Sequence, residues 1–499
     1  MQQNRSIIGL VFILMNLSSY QALCLDNHYW SNQFGPRSAL MSGAVVGGVR
    51  DNSAGFYNPG AFGFVQEPSF SINADAYQLQ RLTIADGAGT SDDLESQQVN
   101  VIPLLLSGSF PLGGQTFGYS ILTKESSSVN LSARNEKTVD VLQSNPLFGA
   151  AFDGPEQYRG QYLYNSKISE YWAGLSWANR LNKNLSMGIS GFLALRQQNN
   201  DTTALARATN QHVQHNSVNF MVGIQDFVRH IDFYNVRGLL KLGIAADLKP
   251  VKFGATLTTP SVNLLGNGTS SLSLSTTKSD ELFLDPNSKI PYNTILDDRQ
   301  ENLDAEYKTP LSLAIGLEYA LNQHTRLAGT VEWFAKQDRY EVMMPASREL
   351  LVGKPPQLAE QIVFDSQPYL KVVESADDVV NFAVAVEQTF DEQYQGYLSF
   401  RTDFSTFNQT RGISNIPSHW DVYHTTVGFR RKSKSNKSEW AFGLTYSFGR
   451  QEQLERPVNL NPLSTQRTET DFLLPTAYSE TDAKYNALSF IIGYTYSLQ

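Results

Sequence analysis

Large apolar and small or polar residues alternate along several stretches of the chain. Each is about ten residues long, the length a tilted strand needs to cross a membrane. In the last stretch Leu488, Phe490, Ile492, Tyr494, Tyr496 and Leu498 point one way, and Ser489, Gly493, Thr495 and Ser497 the other. Leu311, Leu313, Ile315, Leu317 and Tyr319 repeat the pattern against Ser312, Ala314, Gly316 and Glu318. Phe442, Leu444, Tyr446 and Phe448 do the same, as do Phe382, Val384 and Val386. A period of two places every large side chain on one face of a strand. Faces this uniformly large suit lipid better than the shorter apolar faces of a soluble sandwich.

The connections alternate in length. Short ones fall near 111–114, 180–184, 247–250, 320–325, 390–395 and 431–437, and long polar ones near 81–97, 134–157, 263–302, 343–376, 408–418 and 455–481. This is the rhythm of inner turns and outer loops in an all-β, antiparallel, membrane-spanning barrel. Bacterial single-chain barrels have even strand numbers, and a count along these landmarks gives one strand too many. The excess lies in 212–235, where Phe220, Ile224, Phe227 and Ile231 recur at helical spacing. A helix over 217–231 within a long outer loop leaves about 14 strands; two extra, weakly patterned strands are the alternative. Trp177, Trp420 and Trp440 fall near predicted strand ends, where an aromatic girdle sits, while Trp172 and Trp333 fall inside strands and are expected to face lipid.

Composition fits a wall that is wet on one side only. Of 499 residues 17% are charged, against roughly 25% in soluble domains. The net charge of −9 comes with no basic stripe, which argues against a nucleic-acid partner. No apolar run approaches the roughly 18 residues of a membrane-spanning helix. Arg5, the apolar stretch 7–17 and Ala22-Leu23-Cys24 read as a secretory signal over 1–24. Lipidation of Cys24 is the alternative, although Leu23 is a poor neighbour for it. Cys24 is the single cysteine, so no disulfide framework or cysteine metal site is expected. His212 and His215 lack the carboxylate partner of a metal motif and are expected to face solvent. No Gly-x-Ser-x-Gly elbow occurs, and neither an enzyme nor a cofactor is expected.

Residues 25–66 do not alternate. They hold Arg37-Ser38 before a run of small residues, then Asp51-Asn52-Ser53-Ala54 and Phe56-Tyr57-Asn58-Pro59-Gly60-Ala61. Small residues allow backbone to pack tightly, and Asn-Pro-Gly favours a turn. In these motifs the chain resembles the FadL-type family of outer-membrane transporters for long-chain fatty acids and other hydrophobic compounds. That family shows an Arg-Ser or Arg-Ala pair, an acidic-Asn/Asp-Ala segment and an aromatic-Asn-Pro-Ala-Gly motif. Here Gly60 and Ala61 stand in swapped order. Lys252 to Leu257 followed by Thr259-Pro260-Ser261, and Thr309-Pro310 followed by Leu311 to Tyr319, are similar to two of its strands. The terminal Leu498-Gln499 departs from the usual final Phe.

The resemblance implies a 25–66 hatch inside a 67–499 barrel in the bacterial outer membrane, with Arg37, Ser38, Phe56, Tyr57, Asn58, Pro59 and Gly60 at the gate. It implies uptake of a hydrophobic small molecule, a long-chain fatty acid foremost, by a monomer in contact with membrane lipid. The ligand would enter an outer groove, for which Phe220, Ile224, Phe227 and the loop 263–302 are the candidates; packing of the loop on the rim is the competing role. It would leave sideways through the wall, the third strand near Ser126-Ser127-Ser128 being the family-based position. Glu318, Arg326, Glu332, Arg401 and Asp403 fall at inward positions. They form either ion pairs between wall and hatch or, through Arg326 or Arg401, an anchor for a ligand carboxylate. Gly43, Gly47 and Gly48 serve as hinges or as close-packing positions. A binding or adhesion barrel without transport remains the alternative function.

Overall fold

The structure, a computed structural model, describes residues 22–23, 27–49, 51–65, 68–141, 155–214, 217–278, 294–352, 365–407, 419–435, 437–463, 473–475 and 479–498. Within them the chain makes a closed antiparallel barrel. The wall strands are β1 (Ser69–Ile84), β2 (Leu94–Leu112), β3 (Gln115–Val139), β4 (Glu156–Arg180), β5 (Leu185–Gln214) and β6 (Ser217–Leu248). Then come β7 in two pieces (Val251–Thr258 and Val262–Lys278) and β8 in two pieces (Thr294–Asp304 and Ser312–Ala320). β9 (Thr325–Phe334), β10 (Val379–Thr389), β11 (Tyr394–Asp403), β12 (Val422–Lys432), β13 (Ser438–Glu455) and β14 (Glu480–Ser497) complete it. The barrel closes where β1 pairs with β14, from Ser69 opposite Ser497 to Ile84 opposite Ala483. Counting the broken strands once gives 14 staves, the even number anticipated.

The route to that number differs from the sequence reading. The helix expected over 217–231 is strand: β5 and β6 form one continuous hairpin from Leu185–Ala246 to Gln214–Ser217. The stretch is the outward extension of the strand that follows it, so it adds no stave. At 30 and 32 residues these strands far exceed the roughly ten needed to span a bilayer. Cross-strand pairing along β5 overrides the four-three-four spacing of a few apolar residues. The loop expected at 263–302 is likewise mostly sheet, its residues 279–293 lying outside the described ones.

Outward and inward faces separate as the alternation requires. Leu313, Ile315, Leu317 and Tyr319 are exposed while Ser312, Ala314 and Glu318 are buried, and Val384, Leu444, Tyr446 and Phe490 join the outer apolar surface. A closed ladder satisfies its own backbone, so this surface can face hydrocarbon. Two tryptophans depart from expectation. Trp172 faces the lumen at 3% exposure, and Trp420, buried at 4%, packs inside rather than in a girdle. Trp333 and Trp440 are exposed on the outer surface.

The breaks in β7 and β8 lie side by side. Pro260 and Pro310 each lack the N–H a ladder needs, and the two gaps are bridged by Ser261 N–H donating to the Thr309 carbonyl at 3.1 Å. Beyond the wall, Ala22–Leu23, Gln337–Met343 and Val372–Ala376 make a separate three-stranded sheet. The rest of the 1–24 segment, and residues 66–67 at the expected domain boundary, lie outside the described residues.

Candidate functional site

Residues 27–49 and 51–65 occupy the lumen, buried along most of their length. Their regular elements are α1 (Pro36–Leu40), α2 (Ala54–Tyr57) and a 3-10 turn over Pro59–Phe64. The small residues of this segment meet the wall backbone to backbone. A Cβ on Gly60 would lie 2.7 Å from the Gly243 carbonyl oxygen, and one on Gly188 2.5 Å from Pro59. A Cβ on Gly316 would lie 2.5 Å from the Gly47 nitrogen. The swapped Gly60-Ala61 order follows: position 60 touches wall backbone, whereas Ala61 has room for its methyl and is 5% exposed. Gly47 and Gly48 serve packing, against Gly316 and Glu318.

Asn58 fixes this contact. Its side chain donates to the Val46 carbonyl at 2.9 Å and the Ile244 carbonyl on β6 at 3.0 Å, and accepts from Gly60 N–H at 3.0 Å. Tyr57 hydroxyl accepts from Phe34 N–H at 2.9 Å and donates to Gln33 at 2.7 Å. Phe56 packs edge-on to Phe34 with the Lys241 ammonium 4.5 Å from its ring. Asp51 accepts from the Arg37 and Ser38 N–H groups at 3.1 and 3.2 Å. The gate residues proposed from sequence therefore meet in one docked unit.

The inward charges hold that unit to the wall. Arg37 donates to Glu318 on β8 at 3.0 Å and to Glu387 on β10 at 2.6 Å, and Arg326 on β9 shares Glu387. Glu332 accepts from Trp30 Nε1 and Ser312 Oγ, both at 2.7 Å. Arg401 donates to the carbonyls of Trp30 and Ser31, and Asp403 accepts from the N–H groups of Tyr29 and Trp30. Glu318, Glu332, Arg401 and Asp403 thus act between wall and inner segment, while Arg326 ties Glu387 to the neighbouring wall strand. Buried charges persist when paired and hydrogen-bonded.

Across the lumen lies a cluster the sequence reading missed. Glu170 on β4 accepts from Arg196 on β5 at 3.0 Å, from Arg237 on β6 at 2.5 Å and from Trp172 Nε1 at 2.6 Å. Tyr307, placed by the break in β8, lies under both guanidinium groups, 4.0 Å from Arg196 and 5.0 Å from Arg237. The signal was available: these charges fall on the small-residue parity of their strands, opposite the lipid-facing residues.

The wall is interrupted at one place beside the inner segment. β2 and β3 pair only from Leu112–Gln115 to Leu105–Leu122, although β3 stays paired to β4 along its whole length. The ladder stops at Pro103, which has no N–H to give, opposite the irregularity between Thr123 and Glu125 on β3. The strands meet again where Asn130 N–H donates to Ser96 Oγ at 3.0 Å. Behind this window lies a chamber of about 120 Å³ that reaches Leu104 on one lip and Glu125, Ser126, Ser127 and Val129 on the other. Asn32 of the inner segment caps its edge by donating to the Thr123 carbonyl at 3.3 Å.

The outer-groove candidates fare differently. Ile224 and Phe227 stand on opposite faces of β6 because their spacing is odd; Phe227 is buried with Leu272, Leu274 and Leu296 beneath the outer connections. The side chains of Phe220 and His212, and residue His215, lie outside the described ones. The three residues thus form no single helical face. Among the described residues no group of three or more metal-ligating side chains occurs.

No protein-family model matches the sequence, and no curated protein matches it. Solved structures do. A FadL homologue from Pseudomonas aeruginosa superposes with a TM-score of 0.54 at 12% identity, over 95% of this chain and 100% of that one. The toluene transporter TodX of P. putida gives 0.54 at 13% identity, over 94% and 99%. At such identity the likeness is one of fold, which the lipid-facing exterior and the lumen segment support independently. By fold, this chain is a closed 14-stranded β-barrel like those of the FadL homologue and TodX.

Proposed function

We propose that this protein is a monomeric gate for uptake of hydrophobic small molecules, long-chain fatty acids foremost. Residues 25–66 act as its hatch, and the window between β2 and β3 is its lateral exit into the bilayer. The observation that carries the reading is the interrupted β2–β3 ladder with a chamber directly behind it. Leaving backbone unpaired at that depth is costly unless the opening is used. A purely adhesive barrel has no need of such a window.

The step requires no covalent chemistry. Each buried methylene of a ligand contributes about 0.8 kcal/mol, and partial release of the hatch lowers the affinity for exit. Toluene, the cargo named for TodX, is a second candidate.

The test uses Ser127→Cys in a background lacking Cys24, labelled with a bulky maleimide, and Leu398→Cys on the far outer wall as control. Cells expressing each are given radiolabelled long-chain fatty acid or toluene. The expected result is that the label blocks uptake at 127 and spares it at 398. Wild-type uptake no faster than in cells lacking the protein overturns the function; unimpaired uptake by labelled Ser127→Cys overturns the lateral route.

A further inference from the structure

The chamber behind the window is polar, which a pathway for pure hydrocarbon does not require. His424 on β12 lines it and is 5% exposed. Its Nδ1 lies 3.2 Å from Arg401 Nη2 and 2.7 Å from Ser447 Oγ. Arg401 can only donate, so Nδ1 accepts and the ring proton sits on Nε2. Among the described residues that Nε2–H has no hydrogen-bond partner. A buried donor left unmade costs on the order of 1–3 kcal/mol, so the position favours whatever brings it an acceptor.

The charges around the chamber restrict what that acceptor is. Its lining carries Asp75, Glu125 and Asp403 against Arg401, with His28 beside them. Arg401 is already engaged by Trp30, Ser31 and His424, and Lys124, the nearby cation, turns its ammonium to the Tyr29 carbonyl at 2.6 Å. An incoming carboxylate would meet an excess of negative charge in a desolvated space.

Resting on the uptake reading, we propose that this chamber is a subsite for an uncharged head group that accepts a hydrogen bond. The hydroxyl, ester or ketone oxygen of a hydrophobic molecule accepts a hydrogen bond from His424 Nε2–H, and the apolar chain lies out through the β2–β3 window. A fatty acid uses this subsite in its protonated form, not as the carboxylate.

Binding of three twelve-carbon probes to the purified full chain in detergent tests this: 1-dodecanol, dodecane, and dodecanoate at pH 8. Wild type is expected to bind dodecanol at least tenfold more tightly than dodecanoate. His424→Leu should weaken dodecanol about tenfold, the worth of one hydrogen bond, and leave dodecane unchanged. His424→Gln keeps both an acceptor for Arg401 and a donor for the chamber, and should restore most of the loss. Asp75→Asn should narrow the gap between dodecanoate and dodecanol. Dodecanoate binding as tightly as dodecanol to wild type overturns the proposal, whether or not the His424 variants fold. So does an equal loss of dodecanol and dodecane in His424→Leu. Binding of none of the three removes the uptake reading itself, a result distinct from binding without head-group preference.

Discussion

Replacing Arg37 by Met tests whether ion pairs hold the inner segment in the barrel. The change keeps the length and apolar stem of the side chain but removes the guanidinium that Glu318 and Glu387 share. All three side chains are nearly sealed from solvent, at 1%, 3% and 0% exposure. Taking one partner from a buried pair costs about 3–5 kcal/mol, because the remaining charge stays desolvated. Arg326 still reaches Glu387, which places the loss toward the lower end. The bond from Arg37 to the Gly48 carbonyl adds roughly 1 kcal/mol. A net loss of about 4 kcal/mol corresponds to nearly a thousandfold rise in the released population. Hydrogen exchange read by mass spectrometry reports it directly. The amides of Ala39, Met41 and Asn58 are bonded within the segment, to Gly35, Arg37 and Ala54, and should lose protection by that factor while wall amides keep theirs. Adding Glu318→Gln removes one stranded charge and should return part of the protection. Protection within threefold of wild type in Arg37→Met would refute the idea that these charges dock the segment.

Two further substitutions probe the lumen. Gly243→Val sets its Cβ 2.7 Å from Pro59 Cδ and 2.8 Å from the Gly60 nitrogen; the inner segment should sit off its seat, and single-channel conductance in planar bilayers should rise. Wild-type conductance would show that the contact is dispensable. Glu170→Gln leaves the buried Arg196 and Arg237 without their shared carboxylate and should cost about 3–5 kcal/mol, read as a lower temperature for loss of the heat-modifiable band in gel electrophoresis. An unchanged temperature would mean that Tyr307, beneath both guanidinium groups, and Gln198, which accepts from Arg196 at 3.1 Å, suffice in place of the carboxylate.

The sequence by itself determined the wall. Strict alternation in segments such as 311–319 and 488–498 has one physical solution when both faces cannot be buried in protein, a closed strand ladder with lipid outside. The Arg37, Asn58 and Gly60 motifs likewise announced a packed segment, since small residues and a forced turn are local properties. Tertiary structure decided what depends on neighbours. The apolar residues of 217–231 have helical spacing, yet β5 offers a hydrogen-bonded partner along the whole length, and pairing outweighs local preference. Trp420 lies near the start of a strand, but only the folded lumen shows that it turns inward. The window needed two distant features to coincide, Pro103 on one strand and the irregularity at Lys124 on the next. The chamber needed more still: His424, Arg401, Asp75 and Glu125 come from four strands, and no spacing along the chain encodes their meeting. Periodicity records which face a residue occupies; barrel closure decides which residues face each other across the lumen.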